Sequence, residues 1–115
     1  MNKEKSIFDF IKERERLNEI VLEKANLNIK RFFNLDSDAY KEGALDEKTK
    51  ELLGFVASLV LRCDDCIWYH LCKLKEKGIK EEELIEAINI GLVVGGSITI
   101  PHIRRAISAW LDLNK

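Results

Sequence analysis

Apolar residues recur at helical spacing along most of this chain, and that spacing predicts its elements. Ser6 is a good N-cap for a first helix, with Asp9 in its first turn. The stripe Phe10, Leu17, Val21, Ala25, Asn28 or Ile29, and Phe32 continues one face, with Lys12, Glu13, Glu15 and Arg16 filling the other. This reads as one long amphipathic helix over about 1–35, anchored by Phe32 and Phe33 and in need of a partner. Residues 34–46 collect Asn, Asp, Ser and Gly and read as a connection with one helical turn near 37–41. Asp46 caps a second helix with the stripe Leu52, Leu53, Val56, Leu59 and Val60; Glu51 lies off it, in line with Phe55 and Ser58.

A third helix begins near Asp64 and ends at Gly78, after Lys73, Lys75 and Lys77. The fourth starts near Lys80, with three glutamates in its first turn. From Leu84 to Val94 it is apolar on nearly every side apart from Glu86 and Asn89, which predicts the central, most buried helix. Gly95 and Gly96 break it, Ser97 or Thr99 caps the last helix, and Pro101 suits its first turn. That helix runs to about Leu113, with Ile103, Ala106, Ile107 and Trp110 inward and Arg104 and Arg105 pointing away. No stretch alternates with period two and no repeat is present, so the fold class is an all-α bundle of about five to six helices.

At 115 residues the chain is the size of one domain, burying roughly two thirds of its unfolded surface. Its 19 basic and 20 acidic residues leave a net charge of -1, with no basic excess for phosphate contacts, which argues against a nucleic-acid partner. The longest uncharged run, 87–103, is interrupted by three glycines and Pro101 and is shorter than the roughly 20 residues of a membrane helix. The charged N-terminus has no apolar core of the secretory kind, so a cytoplasmic protein is expected. In a reducing compartment, three cysteines point to catalysis or metal binding before a structural disulfide framework.

The candidate chemistry lies in 51–70. Cys63, Asp64, Asp65 and Cys66 open the third helix, and His70 follows Cys66 by one turn on the same face. A helix N-terminus, a CxxC spacing and an imidazolium each lower a thiol pKa, although the helix end alone contributes only about 0.3 to 1 kcal/mol. Asp64 and Asp65 oppose a thiolate and are expected to face solvent. If the helices flanking Arg62 run antiparallel, Glu51 lies roughly 15 Å back from the turn and His70 roughly 12 Å forward, so the two come level. The predicted relay is Glu51 to His70 to Cys66, with Cys63 as the second sulfur.

The same four residues also make a tetrahedral zinc set, so a non-enzymatic metal-binding or scaffold protein stays open beside thiol redox chemistry. Sulfurs that reach each other are the simpler geometry for two cysteines on one helix end. Cys72 lies about 240° around the helix from Cys66 and reads as packing. Trp68 and Tyr69 read as core or interface. For His102, near the start of the last helix, reaching the site from across the bundle is the second reading, behind an ordinary structural role.

Glu51, eleven intervening residues, then Cys63, Cys66 and His70 resembles the Ex11CxxCxxxH signature of alkylhydroperoxidase D-like proteins in the carboxymuconolactone decarboxylase family. The resemblance covers about residues 45–110, including the stretch 75–84 and the Gly-Gly before the last helix. It implies an N-terminal helix followed by a family core over 45–113, in a homo-oligomer, often a trimer or a hexamer built from dimers. It also implies a thiol-dependent peroxidase or disulfide oxidoreductase. In such an enzyme Cys66 attacks peroxide, Cys63 resolves the sulfenic acid, and Glu51 and His70 relay protons. No bound cofactor is implied; electrons come from an external thiol or lipoyl-type donor, and the oxidant is a peroxide or a disulfide. The family's decarboxylase branch generally lacks the cysteine pair, so its reaction is not the one to carry over; a decarboxylase-like lyase without thiol chemistry is the third reading, behind the redox and metal-binding ones.

Overall fold

The structure is a computed structural model that describes residues 6–115. Among these it holds six α-helices and one 3₁₀ turn, with no strand, so the expected all-α class is correct. The chain divides into two compact units, one ending at Glu42 and one spanning Gly43–Lys115.

The first unit holds α1 (Ile7–Lys24) and α2 (Leu27–Ala39). Ser6 caps α1 as expected, its Oγ accepting the Asp9 N–H at 3.1 Å. The single long helix expected over 1–35 is in fact two. Ala25 and Asn26 are both extended, and Asn26 Oδ1 accepts the Ile29 N–H at 3.0 Å to start a new helix. A short amide side chain that bonds the backbone of the next turn offers an alternative to continuing the ladder, and hydrophobic spacing carries no trace of that competition. α2 then runs through Leu35 to Ala39, so the first half of the expected connection over 34–46 is helix and only 40–46 connects. Its turn-favouring residues ride an exposed surface, and α2 buries none of its residues.

The second unit comprises α3 (Glu47–Val60), α4 (Asp64–Glu76), α5 (Glu81–Gly95), the 3₁₀ turn Ser97–Thr99 and α6 (Ile100–Leu113). Asp46 caps α3 through its Oδ1, which accepts the Thr49 N–H at 2.7 Å. α3 packs on α4 and α5, and α6 packs on α4. The core between them is Phe55 and Leu59, Ile67, Leu71 and Leu74, Leu84 and Ile88, and Ile103, Ala106, Ala109 and Trp110, closed at one end by Ile79.

Two faces differ from expectation. α3 buries Glu51, Phe55, Ser58 and Leu59, while Leu53 is exposed, so the line through the acid is the inward one. Buried polar groups on that line are paired: Ser58 Oγ donates to the Gly54 carbonyl at 2.7 Å, and Glu51 has a partner on α4. α5 is not the most buried helix. It buries only Leu84, Ile88 and Gly91, and Ile90, Val93 and Val94 face solvent. Gly91 sits where a Cβ would come within 2.6 Å of Leu59 Cδ2, and this close approach sets the single face that α5 turns to α3.

The glycine break after α5 is as expected, with Gly96 at φ 82. Neither Ser97 nor Thr99 caps through its side chain; Thr99 Oγ1 instead donates to the Gly96 carbonyl at 2.8 Å, and Pro101 takes the first turn of α6.

Candidate functional site

The site is built on the turn between α3 and α4. Arg62 adopts the left-handed conformation, φ 59, and donates its N–H to the Leu59 carbonyl, while the Cys63 N–H reaches back to the Ser58 carbonyl at 3.1 Å. Those two bonds are a Schellman ending for α3. α4 ends the same way, with Gly78 at φ 73 and the Ile79 N–H on the Leu74 carbonyl. At the first turn the left-handed residue is an arginine, and the next residue is already the N-cap of α4. Cys63 therefore closes one helix with its N–H and opens the next with its side chain: Sγ accepts the Cys66 N–H at 3.3 Å.

This double constraint brings the two sulfurs together. Cys63 Sγ and Cys66 Sγ lie 2.6 Å apart, closer than two sulfurs in van der Waals contact, with no disulfide between them. A disulfide of about 2.05 Å needs little further approach. The Cys66 thiol, which the helix start, the CxxC spacing and an imidazolium together were expected to acidify, is instead pushed up to about 11. Cys66 is an exposed residue, yet partial desolvation of its thiol is the largest cause, followed by the hydrogen bond and charge of Cys63 and then the charge of Asp65; only the backbone hydrogen bond favours the thiolate. The N-terminal N–H groups serve Cys63, the cap, before Cys66.

Glu51 and His70 form a second pair, placed by the antiparallel run of α3 and α4 that the sequence suggested. His70 Nδ1 lies 2.8 Å from Glu51 Oε2, and both side chains are buried. A carboxylate accepts, so Nδ1 carries the proton and Nε2 is the basic nitrogen of the neutral ring. The edge of the Tyr69 ring packs against the imidazole, with centroids 5.2 Å apart. His70 follows Cys66 by four residues on α4, one turn along the same face.

Asp64 has two partners on α6. Asp64 Oδ1 takes His102 Nδ1 at 2.7 Å, and Oδ2 takes Arg105 Nε at 2.9 Å. Arg105 is exposed, as expected, and Asp64 keeps part of its surface in solvent; what the sequence does not announce is that the two meet as counter-ions across the α4–α6 contact. The signal available was the i, i+3 spacing of His102 and Arg105, which puts a hydrogen-bond donor and a fixed cation on one edge of α6. His102 thus reaches the cysteine turn, through Asp64. Arg62 was not read as special, since nothing in its residue type announces a left-handed position. Cys72 is half-buried on α4, as are Trp68 and Tyr69.

Among the described residues no three His, Cys, Asp or Glu side chains are arranged to hold a metal ion. Glu51 and His70 are engaged with each other, and the sulfurs with each other, so the four do not converge on one point. No helix among the described residues is long and apolar enough to cross a membrane.

An all-α bundle with a dithiol at a helix start and a buried carboxylate–imidazole pair one turn on defines a class of small helical proteins. The carboxymuconolactone decarboxylase family model matches residues 29–109, and the chain belongs to that family. The match begins within α2, earlier than the motif-bearing stretch alone suggested. Two crystal structures of one Thermotoga maritima protein are similar throughout. The first is 58% identical with a TM-score of 0.89 and covers 91% of this chain and 92% of that one. The second is 57% identical with a TM-score of 0.87, covering 91% and 89%; it is described as a carboxymuconolactone decarboxylase family protein with a suggested involvement in antioxidative response. An apo family member from Legionella pneumophila is 26% identical with a TM-score of 0.88, covering 95% of this chain and 97% of that one. An uncharacterized protein of the cox locus in Paracoccus denitrificans is 27% identical over 83 residues, 72% of this chain and 75% of its own length.

Proposed function

We propose that this protein is a thiol-dependent peroxidase or disulfide oxidoreductase that cycles Cys63 and Cys66, using Glu51 and His70 to move protons. The observation that carries the reading is the pair of sulfurs 2.6 Å apart at the start of α4, one turn from the Glu51–His70 pair. The suggested antioxidative involvement of the Thermotoga maritima relative points the same way.

The steps balance without a bound cofactor. The Cys66 thiolate attacks one peroxide oxygen, the O–O bond breaks, and the leaving alkoxide or hydroxide takes a proton, giving a sulfenic acid and an alcohol or water. His70 Nε2 is the base that removes the thiol proton, and Glu51 holds the ring in that tautomer. Cys63 then attacks the sulfenic sulfur and releases water as the disulfide forms. A second dithiol, of protein or lipoyl type, returns two electrons and two protons by exchange. A reducing compartment such as the cytoplasm supplies such donors.

The test is a count of free thiols and an intact mass before and after one equivalent of hydrogen peroxide on the folded protein. Loss of two thiols and the mass of two hydrogens, mapped to the peptide holding Cys63 and Cys66 and reversed by a dithiol, is the expected result. Thiols that resist peroxide in the metal-free protein would sink the reading.

A further inference from the structure

Asp64 and Asp65 stand between the same two cysteines, yet they are treated differently. The Asp65 side chain has no comparable pairing among the described residues, and its charge is one of the causes that push the Cys66 thiol up. Asp64, the first residue of α4 and the neighbour of Cys63, has both carboxylate oxygens occupied from α6, by His102 Nδ1 on Oδ1 at 2.7 Å and Arg105 Nε on Oδ2 at 2.9 Å. A carboxylate has no proton to give, so His102 Nδ1 donates, and the set carries one fixed cation against one anion. The His102 side chain is only 17% exposed, so this is a docked contact between two helices.

We propose that His102 and Arg105 are positioning residues for the cysteine pair: they hold the start of α4 on α6 and keep the Asp64 charge from acting against a thiolate at Cys63 or Cys66. The other charged or titratable groups around this turn are Arg62 in the turn itself, Asp65 and His70 on α4 and Glu51 on α3; Glu51 and His70 are committed to each other, and among the described residues Asp64 takes its ion pairs from His102 and Arg105, not from Arg62. Neutralising Asp64 therefore falls to α6. The aspartate is kept for what it fixes, the seat of α6 at the turn. Its cost to a thiolate is offset by Arg105. The inference deepens the thiol-redox reading of the site, but its test does not need peroxide turnover.

The experiment is the rate of iodoacetamide alkylation at Cys63 and Cys66 of the full chain, followed against pH by peptide mass mapping. It compares wild type with Arg105→Gln, His102→Ala, Asp64→Asn and the doubles Asp64→Asn/Arg105→Gln and Asp64→Asn/His102→Ala. Arg105→Gln leaves Asp64 with an uncompensated charge. It should displace the profile to higher pH by about 0.5 to 1 unit, read as roughly 3- to 10-fold slower alkylation on the rising limb. His102→Ala should act in the same direction and less, since the fixed cation stays. In the Asp64→Asn background neither change should slow the reaction further, because the charge they offset is gone. A single-variant profile that coincides with wild type would overturn the proposal, as would an equal loss in the Asp64→Asn background, which is what mere loosening of α6 would give. A protein that alkylates as described but does not turn over peroxide would sink the peroxidase reading and leave this one standing.

Discussion

A cysteine at a helix start is commonly read as an acidified one, and at Cys66 other effects outweigh the helix. Cys66, inside the first turn, meets partial desolvation, its partner sulfur and Asp65. Its thiol is pushed up to about 11, so at neutral pH the reactive thiolate is the minor form and grows as pH rises. Alkylation of Cys66 should therefore accelerate by about tenfold per pH unit from pH 7 until it levels near 11. A plateau near pH 7 would show that the thiol is acidified after all. The residues of the site were legible because their spacing is chemical: Glu51, Cys63, Cys66 and His70 stand out by type and separation. Arg62 was not, since a left-handed φ belongs to the turn and leaves no mark on residue type. An L side chain there costs roughly 1 to 2 kcal/mol. Arg62→Gly removes that strain and should raise the midpoint of thermal unfolding, by an amount reduced by the greater backbone freedom of glycine in the unfolded chain. A lowered midpoint would mean that the arginine side chain contributes more than its backbone costs.

At the scale of elements, periodicity located the helices of the second unit to within a residue or two, because caps and stops there are chemically explicit: Asp46, Gly78, the glutamates after Lys80, Gly96 and Pro101. What it misjudged was which face turns inward. On α3 the choice between the Leu52–Leu53 stripe and the Glu51–Phe55–Ser58 line depends on a partner nineteen residues away that satisfies the acid, and apolar spacing does not register a polar pairing. On α5 nearly every position is apolar, so the pattern has no moment to read, and the deciding feature is the absence of a side chain at Gly91. A methyl there would meet Leu59 Cδ2 at 2.6 Å and Cγ at 3.3 Å, and Leu59 is completely buried. Alanine in place of a helical glycine gains about 1 kcal/mol of propensity, while overpacking costs about 1 to 3 kcal/mol. Gly91→Ala should therefore destabilise by about 1 kcal/mol, measured by denaturant unfolding. Unchanged or increased stability would show that α3 and α5 separate at little cost.

For the whole molecule, the misjudged burial of α5 becomes a statement about assembly. Val93 is 82% exposed, Val94 69%, Ile90 59% and Ile98 57%, on one end of α5 and the turn beyond it. Exposed apolar side chains gathered on one helix end mark an interaction site more often than a free surface. The motif resemblance implies a homo-oligomer, and we propose that this face closes against a second copy of the chain. Covering four such side chains is worth about 1.5 to 3 kcal/mol each when burial is complete. That is roughly 6 to 12 kcal/mol for the four, comparable with an association cost in the lower to middle part of roughly 4 to 15 kcal/mol. A single unpaired carboxylate in the contact should therefore tip the balance, since burying it costs several kcal/mol. Sedimentation equilibrium at micromolar concentration should give the wild type a mass that is a multiple of 13.3 kDa. Val93→Glu, at a position that contributes nothing to the core of one chain, should shift the mass downward while leaving helix content unchanged. A wild type that sediments as a monomer would remove the assembly, and α5 would then carry its apolar face to solvent for a reason other than a second copy.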